Sequence, residues 1–292
     1  MAPGPDSVSI RYSTRWGSLE AMTYFEWVSR PELRDPVAII AFSGWGDAGD
    51  ASSDAARFLL SEDEAREIGH FDPDPFFDFQ VNRPVVSLDD DGVRSITWPT
   101  IELTAVRMTE RDLVIVIGDE PNYNWKRFVS ELCEVLAELG VETAIAMGAF
   151  AGQVAHTIPV PVIGSSASAR LVAQYGLLPS RYEGPTGIVG VLTDALGKAG
   201  IDTISLWAAV PHYLANQTYP PGVEALVRKA AEIAGLTVDV SRLQGRSAAF
   251  RRRIEAALDE SDELADYVRE LEAEGLEGED LVDEIERYLR DV

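Results

Sequence analysis

Cysteine is almost absent from this 292-residue chain. Cys133 stands alone, which excludes an internal disulfide framework and a multi-cysteine metal site. Histidine is nearly as scarce. His70, His156 and His212 leave little material for a zinc centre, so neither a metal nor a cofactor is expected. Basic residues are also short, 25 against 49 acidic, for a net charge of −24. A surface of that sign repels phosphate backbones and anionic headgroups, so neither nucleic-acid nor membrane binding is expected. No stretch approaches the ~18 consecutive apolar residues of a membrane span. The opening Met-Ala-Pro-Gly-Pro-Asp lacks the basic and apolar regions of a secretory signal, and a cytoplasmic protein is expected. There is no Gly-x4-Gly-Lys-Ser/Thr loop. Ser165, Ser166 and Ser168 lie in Gly-Ser-Ser-Ala-Ser, not in a Gly-x-Ser-x-Gly elbow. No nucleophile, base and orienter come together in the sequence, so no catalytic residue is assigned.

Four short apolar runs are present: Val37–Phe42, Leu113–Ile117, Thr143–Met147 and Thr203–Val210. They are nearly continuous rather than alternating, as strands buried on both faces are. Helical spacing fills the intervals at Ala51–Leu60, Trp125–Leu139, Ile188–Lys198 and Val223–Ile233. Strands alternating with helices predict an α/β domain with a mostly parallel sheet covered on both faces. Arg66–Phe71, Val85–Leu88, Arg94–Trp98 and Ile101–Val106 are separated by turn signals and predict added antiparallel or edge strands. This core domain is drawn at residues 1–247.

Residues 248–292 read as an acidic C-terminal helical extension. Ile254, Leu258, Leu264, Val268 and Leu271 keep helical spacing up to a break at Gly275 and Gly278. Leu281, Ile285, Tyr288 and Leu289 then predict the second arm of a helical hairpin. From Arg251 onward 16 acidic residues face 6 basic ones, which fits a solvated face or a docking surface for a basic partner.

Open α/β sheets bind ligands outside the carboxyl ends of their strands. The residues just past the four runs include Gly44, Trp45, Gly46, Asp47 and Gly49, then Asn122 and Trp125, then His156 and Thr157, then His212 and Tyr213. They define a candidate ligand-binding rim. Gly44, Gly46 and Gly49 match the dinucleotide fingerprint Gly-x-Gly-x-x-Gly. Trp45 would crowd a pyrophosphate, and Asp47 and Asp50 would put negative charge at an anion-binding helix start. A tight turn with an aspartate capping the helix is the expected use of this loop. Phe71, Phe76, Phe77 and Phe79 crowd a segment broken by Pro73 and Pro75. Such rings are covered either by another chain or by the same subunit.

Taken in order, Gly44-Trp45-Gly46-Asp47-Ala48-Gly49, Arg83-Pro84, Trp98-Pro99, Glu120-Pro121-Asn122 with Trp125, His156-Thr157, Tyr182-Glu183-Gly184-Pro185-Thr186-Gly187, and Trp207 with Pro211-His212-Tyr213 resemble the proteasome assembly chaperone family, in its chaperone-2 branch. The similarity is to bacterial members with a C-terminal helical extension. It implies a three-layer α/β/α fold of the nucleoside-phosphorylase kind, with a mostly parallel mixed sheet. It implies a chaperone-like or scaffold role connected with proteasome assembly, proteasome subunits as partners, and a homo-oligomer with a trimer favoured. The chain departs from the pattern by lacking an arginine after His156-Thr157 and a hydrophobic-Tyr-any tail. The alternative is an enzyme acting on a nucleoside-like or other small metabolite in the strand-end crevice.

Overall fold

The computed structural model describes residues 23–60, 64–89, 92–179, 183–258 and 262–274. The four apolar runs form the centre of a nine-stranded sheet. They are β2 (Val37–Ser43), β7 (Asp112–Asp119), β8 (Thr143–Gly152) and β11 (Asp202–Pro211). All four are parallel, in the order β7-β2-β8-β11, with Val37 opposite both Leu113 and Thr143, and Thr143 opposite Asp202. Alternate residues enter different cores. Ala38, Ile40 and Phe42 face one layer, and Val37, Ile39 and Ala41 face the other. Burial on both faces is why these runs show no polar alternation.

One layer contains α2 (Trp125–Glu138) and α4 (Ile188–Lys198), through Phe128, Leu132, Leu136, Ile188, Leu192 and Leu196. The opposite layer contains α1 (Ala51–Leu60), α5 (Pro220–Ala234) and α6 (Ser241–Leu258). The chain is therefore a three-layer α/β/α fold. Positive φ angles at Gly140, Gly176 and Gly235 each follow a helix end, where glycine carries no Cβ penalty.

Antiparallel strands extend the sheet on one side. These are β6 (Ile101–Arg107), β3 (Ala65–Phe71) and β1 (Phe25–Trp27), in the order β7-β6-β3-β1. On the other side β9 (Val162–Ser166) lies antiparallel to β11 and is followed by β10 (Leu178–Pro179), with α3 (Ala169–Tyr175) between them in sequence. The strand expectation for residues 66–107 needs one correction. Only β3 and β6 join the large sheet. β4 (Val85–Leu88) and β5 (Arg94–Thr97) pair with each other as a separate two-stranded hairpin. Each is four residues long, and Pro84 and Pro99 bracket the pair with residues that lack a donor N–H.

The aromatic loop folds inward. Phe71, Phe76 and Phe77 are buried, and Phe76 meets Phe71 and Phe128 edge to face at 5.9 and 5.8 Å. Another chain is not what covers them. Pro73 and Pro75 break the strand, and the rings close the core over β3 and α2 instead. The extension also differs from a single helix running up to Gly275. Helix α6 starts at Ser241 and passes through residue 248 without a break, and α7 (Asp262–Glu274) follows. The expected second arm from Leu281 to Leu289 lies outside the described residues. Among the described residues, no helix is long and apolar enough to cross a membrane.

Candidate functional site

The loop after β2 carries Gly44, Trp45, Gly46, Asp47 and Gly49. Gly44 has φ of 130° and Gly49 has φ of 64°. A Cβ on Gly49 would fall 2.8 Å from the Cβ of Tyr219, so the position needs both the glycine torsion and the missing side chain. The Gly49 N–H donates to the Ala215 carbonyl at 2.9 Å, and the Tyr219 N–H donates to the Gly49 carbonyl at 2.8 Å. Asp47 is only 6% exposed. Its Oδ1 accepts from the Ser52 N–H at 2.7 Å, the Ser52 hydroxyl at 2.6 Å and the Ser53 N–H at 3.1 Å. The carboxylate thus holds the orphan donors of the first turn of α1, where a dinucleotide phosphate would otherwise sit. Burial raises the Asp47 carboxyl above its ordinary value, opposed by the Ser52 and Ser53 hydrogen bonds. The fingerprint spacing is present, and its anion site is filled by the chain itself.

Trp45 and Gly46 turn toward α4. They help line a cleft of 770 Å³ between α4 and the β9–β10 edge, with Trp207, Glu120, Ser165, Ser205 and Thr193 among its walls. Trp207 lies against Gly148, where a Cβ would come within 2.7 Å of the indole, and donates through Nε1 to Ser205 Oγ at 2.8 Å. Trp45 lies against Gly187, where a Cβ would come within 2.9 Å of its ring. Glu120 Oε1 accepts from the Ile188 N–H at 2.9 Å, at the start of α4. Burial raises the Glu120 carboxyl, partly offset by that backbone bond and one from Trp45. Two indoles, a carboxylate and hydroxyls can contact a small ring-shaped ligand, but among the described residues they do not assemble a nucleophile with a base.

His156, Thr157, His212 and Tyr213 gather at the ends of β8 and β11, under α7. His156 is 2% exposed. Its backbone N–H donates to the Tyr213 phenol oxygen at 3.0 Å, and Nδ1 shares a second hydrogen bond with that hydroxyl at 2.8 Å. Nε2 is buried with no partner among the described residues. Burial lowers the His156 imidazole below its ordinary value. Arg251 adds to that lowering, and Glu255 and Glu272 oppose it. Tyr213 is pushed up, mainly by burial. From α7, the Tyr267 hydroxyl meets His212 Nε2 at 3.0 Å, and Glu272 accepts from the Thr157 hydroxyl at 2.5 Å. Val268 and Leu271 of α7 are buried against Ala155.

Asn122 and Trp125 stand apart from both groups. Asn122 accepts from the Asp78 N–H at 2.7 Å, and its own N–H donates to the Phe76 carbonyl at 2.8 Å. Trp125 opens α2, with its Nε1 donating to the Pro121 carbonyl. Asn122 thus ties the aromatic loop to the segment that leads into α2. The sequence-derived rim is therefore three places rather than one. Sequence reasoning missed Tyr267 and Glu272, which look like ordinary members of an acidic amphipathic helix. It also missed Trp207, Ser165 and Ser205 as cleft walls, since nothing in their local pattern separates them from strand interior. Among the described residues no group of three or more His, Cys, Asp or Glu side chains is placed to hold a metal ion.

The PAC2 family model matches residues 41–258. The fold is similar to a solved PAC2 family protein from Streptomyces avermitilis, 42% identical, covering 80% of this chain and 100% of that one, with a TM-score of 0.75. A proteasome-assembly chaperone homologue from Mycobacterium tuberculosis is 40% identical over 80% of this chain and 99% of its own, with a TM-score of 0.73. An archaeal proteasome activator from Pyrococcus furiosus shares the fold at 19% identity, covering 80% of this chain and 97% of that one, with a TM-score of 0.66. The comparison with curated proteins finds no match. With its glycine–tryptophan loop, its three layers and the family match over most of its length, this chain belongs to the PAC2 family.

Proposed function

We propose that the protein is a chaperone-like or scaffold protein connected with proteasome assembly, acting by protein–protein contact as a homo-oligomer, with a trimer favoured. The observation that supports this reading most is that two parts of the strand-end rim are engaged in contacts within the chain. Asp47 fills the helix start that would bind an anion, and α7 hydrogen-bonds Thr157 and His212, which stay exposed, beside the buried His156. Those two parts are then not free to bind a ligand, which favours contact through the outer surface. The likeness to a proteasome-assembly chaperone homologue at 40% identity supplies the partner class. Affinity purification from native cell extract at near-physiological salt tests it. Enrichment of proteasome α-subunits or their precursors is expected, and their absence contradicts the reading.

The cleft beside Trp45 and Trp207 favours a second reading, an enzyme or binding protein for a nucleoside-like or other small metabolite. A thermal-shift panel of nucleosides, nucleotides and phosphate separates the two. A ligand at ~100-fold over its dissociation constant raises stability by about 2.7 kcal/mol. No shift across the panel removes this second reading.

A further inference from the structure

Helix α6 carries the charge that most of the surface lacks. Residues 240–254 hold five of the chain's 25 basic residues, Arg242, Arg246, Arg251, Arg252 and Arg253, and no acidic one. All five are exposed. Several helical cations elsewhere are neutralised within their own helix. Arg57 in α1, Arg127 in α2, Lys198 in α4, and Arg228 and Lys229 in α5 each pair with a carboxylate three or four residues away. Among the described residues no arginine of α6 pairs with a carboxylate. The flanking acidic residues are Glu255 and Asp239, and Asp239 accepts instead from the Ser241 N–H and hydroxyl at 2.9 and 2.6 Å. Arg253 lies over the Phe250 ring at 4.9 Å and donates to Gln217 Oε1 at 3.3 Å, two neutral partners that leave its charge in place. Leu243, Ser247, Phe250 and Ile254 form the buried seam of the helix. Arg242, Arg246 and Arg253, at i, i+4 and i+11, run along one side of that seam in a row about 16 Å long, at ~1.5 Å per residue. Like charges at such spacing weaken a helix rather than support it. Gly245, Ala248 and Ala249, exposed beside the row, add no bulk above it.

We propose that this arginine row of α6 docks an acidic polypeptide segment of a protein partner. Charge complementarity selects the occupant. Guanidinium forks match carboxylates in pairs of parallel hydrogen bonds. A row of about 16 Å takes about five extended residues at ~3.3 Å each, so the segment is short. A long polyanion is a poorer fit. Nucleic acid or an anionic membrane would reach past the row onto a body that carries −24, and would be repelled there. A short carboxylate-bearing segment meets the arginines alone, because salt screens exposed charges beyond about 8 Å. The inference rests on the reading that the protein acts by protein–protein contact, and not on the proteasome as the partner.

Fluorescence anisotropy of labelled decaglutamate, titrated with the full chain, tests it. Saturable binding is expected, weakened at least ~10-fold between about 50 and about 300 mM salt. The Arg242→Gln/Arg246→Gln/Arg253→Gln triple variant is expected to bind at least ~10-fold more weakly than wild type, with no loss of melting temperature. Arg66→Gln/Arg107→Gln, which removes two exposed arginines of β3 and β6, is expected to bind like wild type. A wild type without saturable binding overturns the proposal. So does a triple variant that binds like wild type, or a β3/β6 variant that loses as much as the triple variant. Duplex DNA bound as tightly as the peptide overturns the choice of an acidic polypeptide. Should the triple variant fail to fold, hydrogen exchange of the wild type decides. Amides of residues 242–253 are expected to slow when decaglutamate is present, and unchanged exchange there overturns the assignment. A failed proteasome pull-down beside peptide binding would sink the proposed partner and leave the docking row standing.

Discussion

Replacing Asp47 tests the reading of the glycine–tryptophan loop, because it separates a helix cap from a ligand group. Its Oδ1 receives three hydrogen bonds, at 2.7, 2.6 and 3.1 Å. Ser52 and Ser53, which supply them, are themselves buried. Asp47→Ala leaves two N–H groups and a hydroxyl without that acceptor. Loss of a cap costs about 0.5–2 kcal/mol, and a buried orphan donor costs about 1–3 kcal/mol. Part of this is returned, because the removed carboxylate was buried and its Oδ2 has no partner among the described residues. A net loss of about 2 kcal/mol follows. Asp47→Asn keeps the acceptor and removes the charge, and should hold within about 0.5 kcal/mol of wild type at neutral pH. The sign with pH is set by the raised Asp47 carboxyl. The native state keeps its proton to a higher pH than the unfolded chain, so the stabilisation is complete in acid and fades as pH rises through the folded value. The advantage of asparagine over aspartate should therefore grow from acid to neutral pH. Urea denaturation at fixed protein concentration measures all three chains. Alanine within 0.5 kcal/mol of wild type, or asparagine as costly as alanine, refutes the cap.

Gly49→Ala places a methyl 2.8 Å from the Tyr219 Cβ at a φ of 64° and should cost about 2 kcal/mol in the same assay. A chain ending at Leu258 lacks α7, so the His156 imidazole should titrate closer to its ordinary 6.5 by NMR than in the full chain. In the full chain the lowered imidazole means the unfolded state takes up the proton first. The His156 contribution should then be complete above its ordinary value and be lost as pH falls from there through the lowered folded value, and His156→Gln should flatten that part of the stability curve. The Cys133 thiol is buried in α2 and pushed up to about 11, so it should resist alkylation at pH 7.5 until the chain is unfolded in denaturant.

The centre of the fold was legible because physics leaves few options there. Val37–Ser43 and Asp112–Asp119 are apolar on both faces, and helical spacing in residues 51–60, 125–138 and 188–198 leaves little ambiguity. The three-residue β1, the glycine–serine strand β9 and the two-residue β10 carry too little pattern, and tertiary pairing creates them. The hairpin strands were visible, but their separation from the large sheet was not, since pairing partners are not written in a four-residue run. At the site, the Asp47 cap follows from residue type and spacing. The division of the rim does not, because it depends on α7 folding back from more than 50 residues away in sequence onto His156 and His212. The phenylalanine loop left two outcomes open, and only the position of α2 selects the buried one.

Analytical ultracentrifugation of the purified full chain with purified proteasome α-subunits tests the central claim most directly. The proposed assembly role predicts a saturable complex that sediments faster than either component at physiological salt. It also predicts that the complex survives substitution of Asp47 by Asn and persists with nucleosides, nucleotides or phosphate present. Two components sedimenting independently at every ratio would contradict the proposed function.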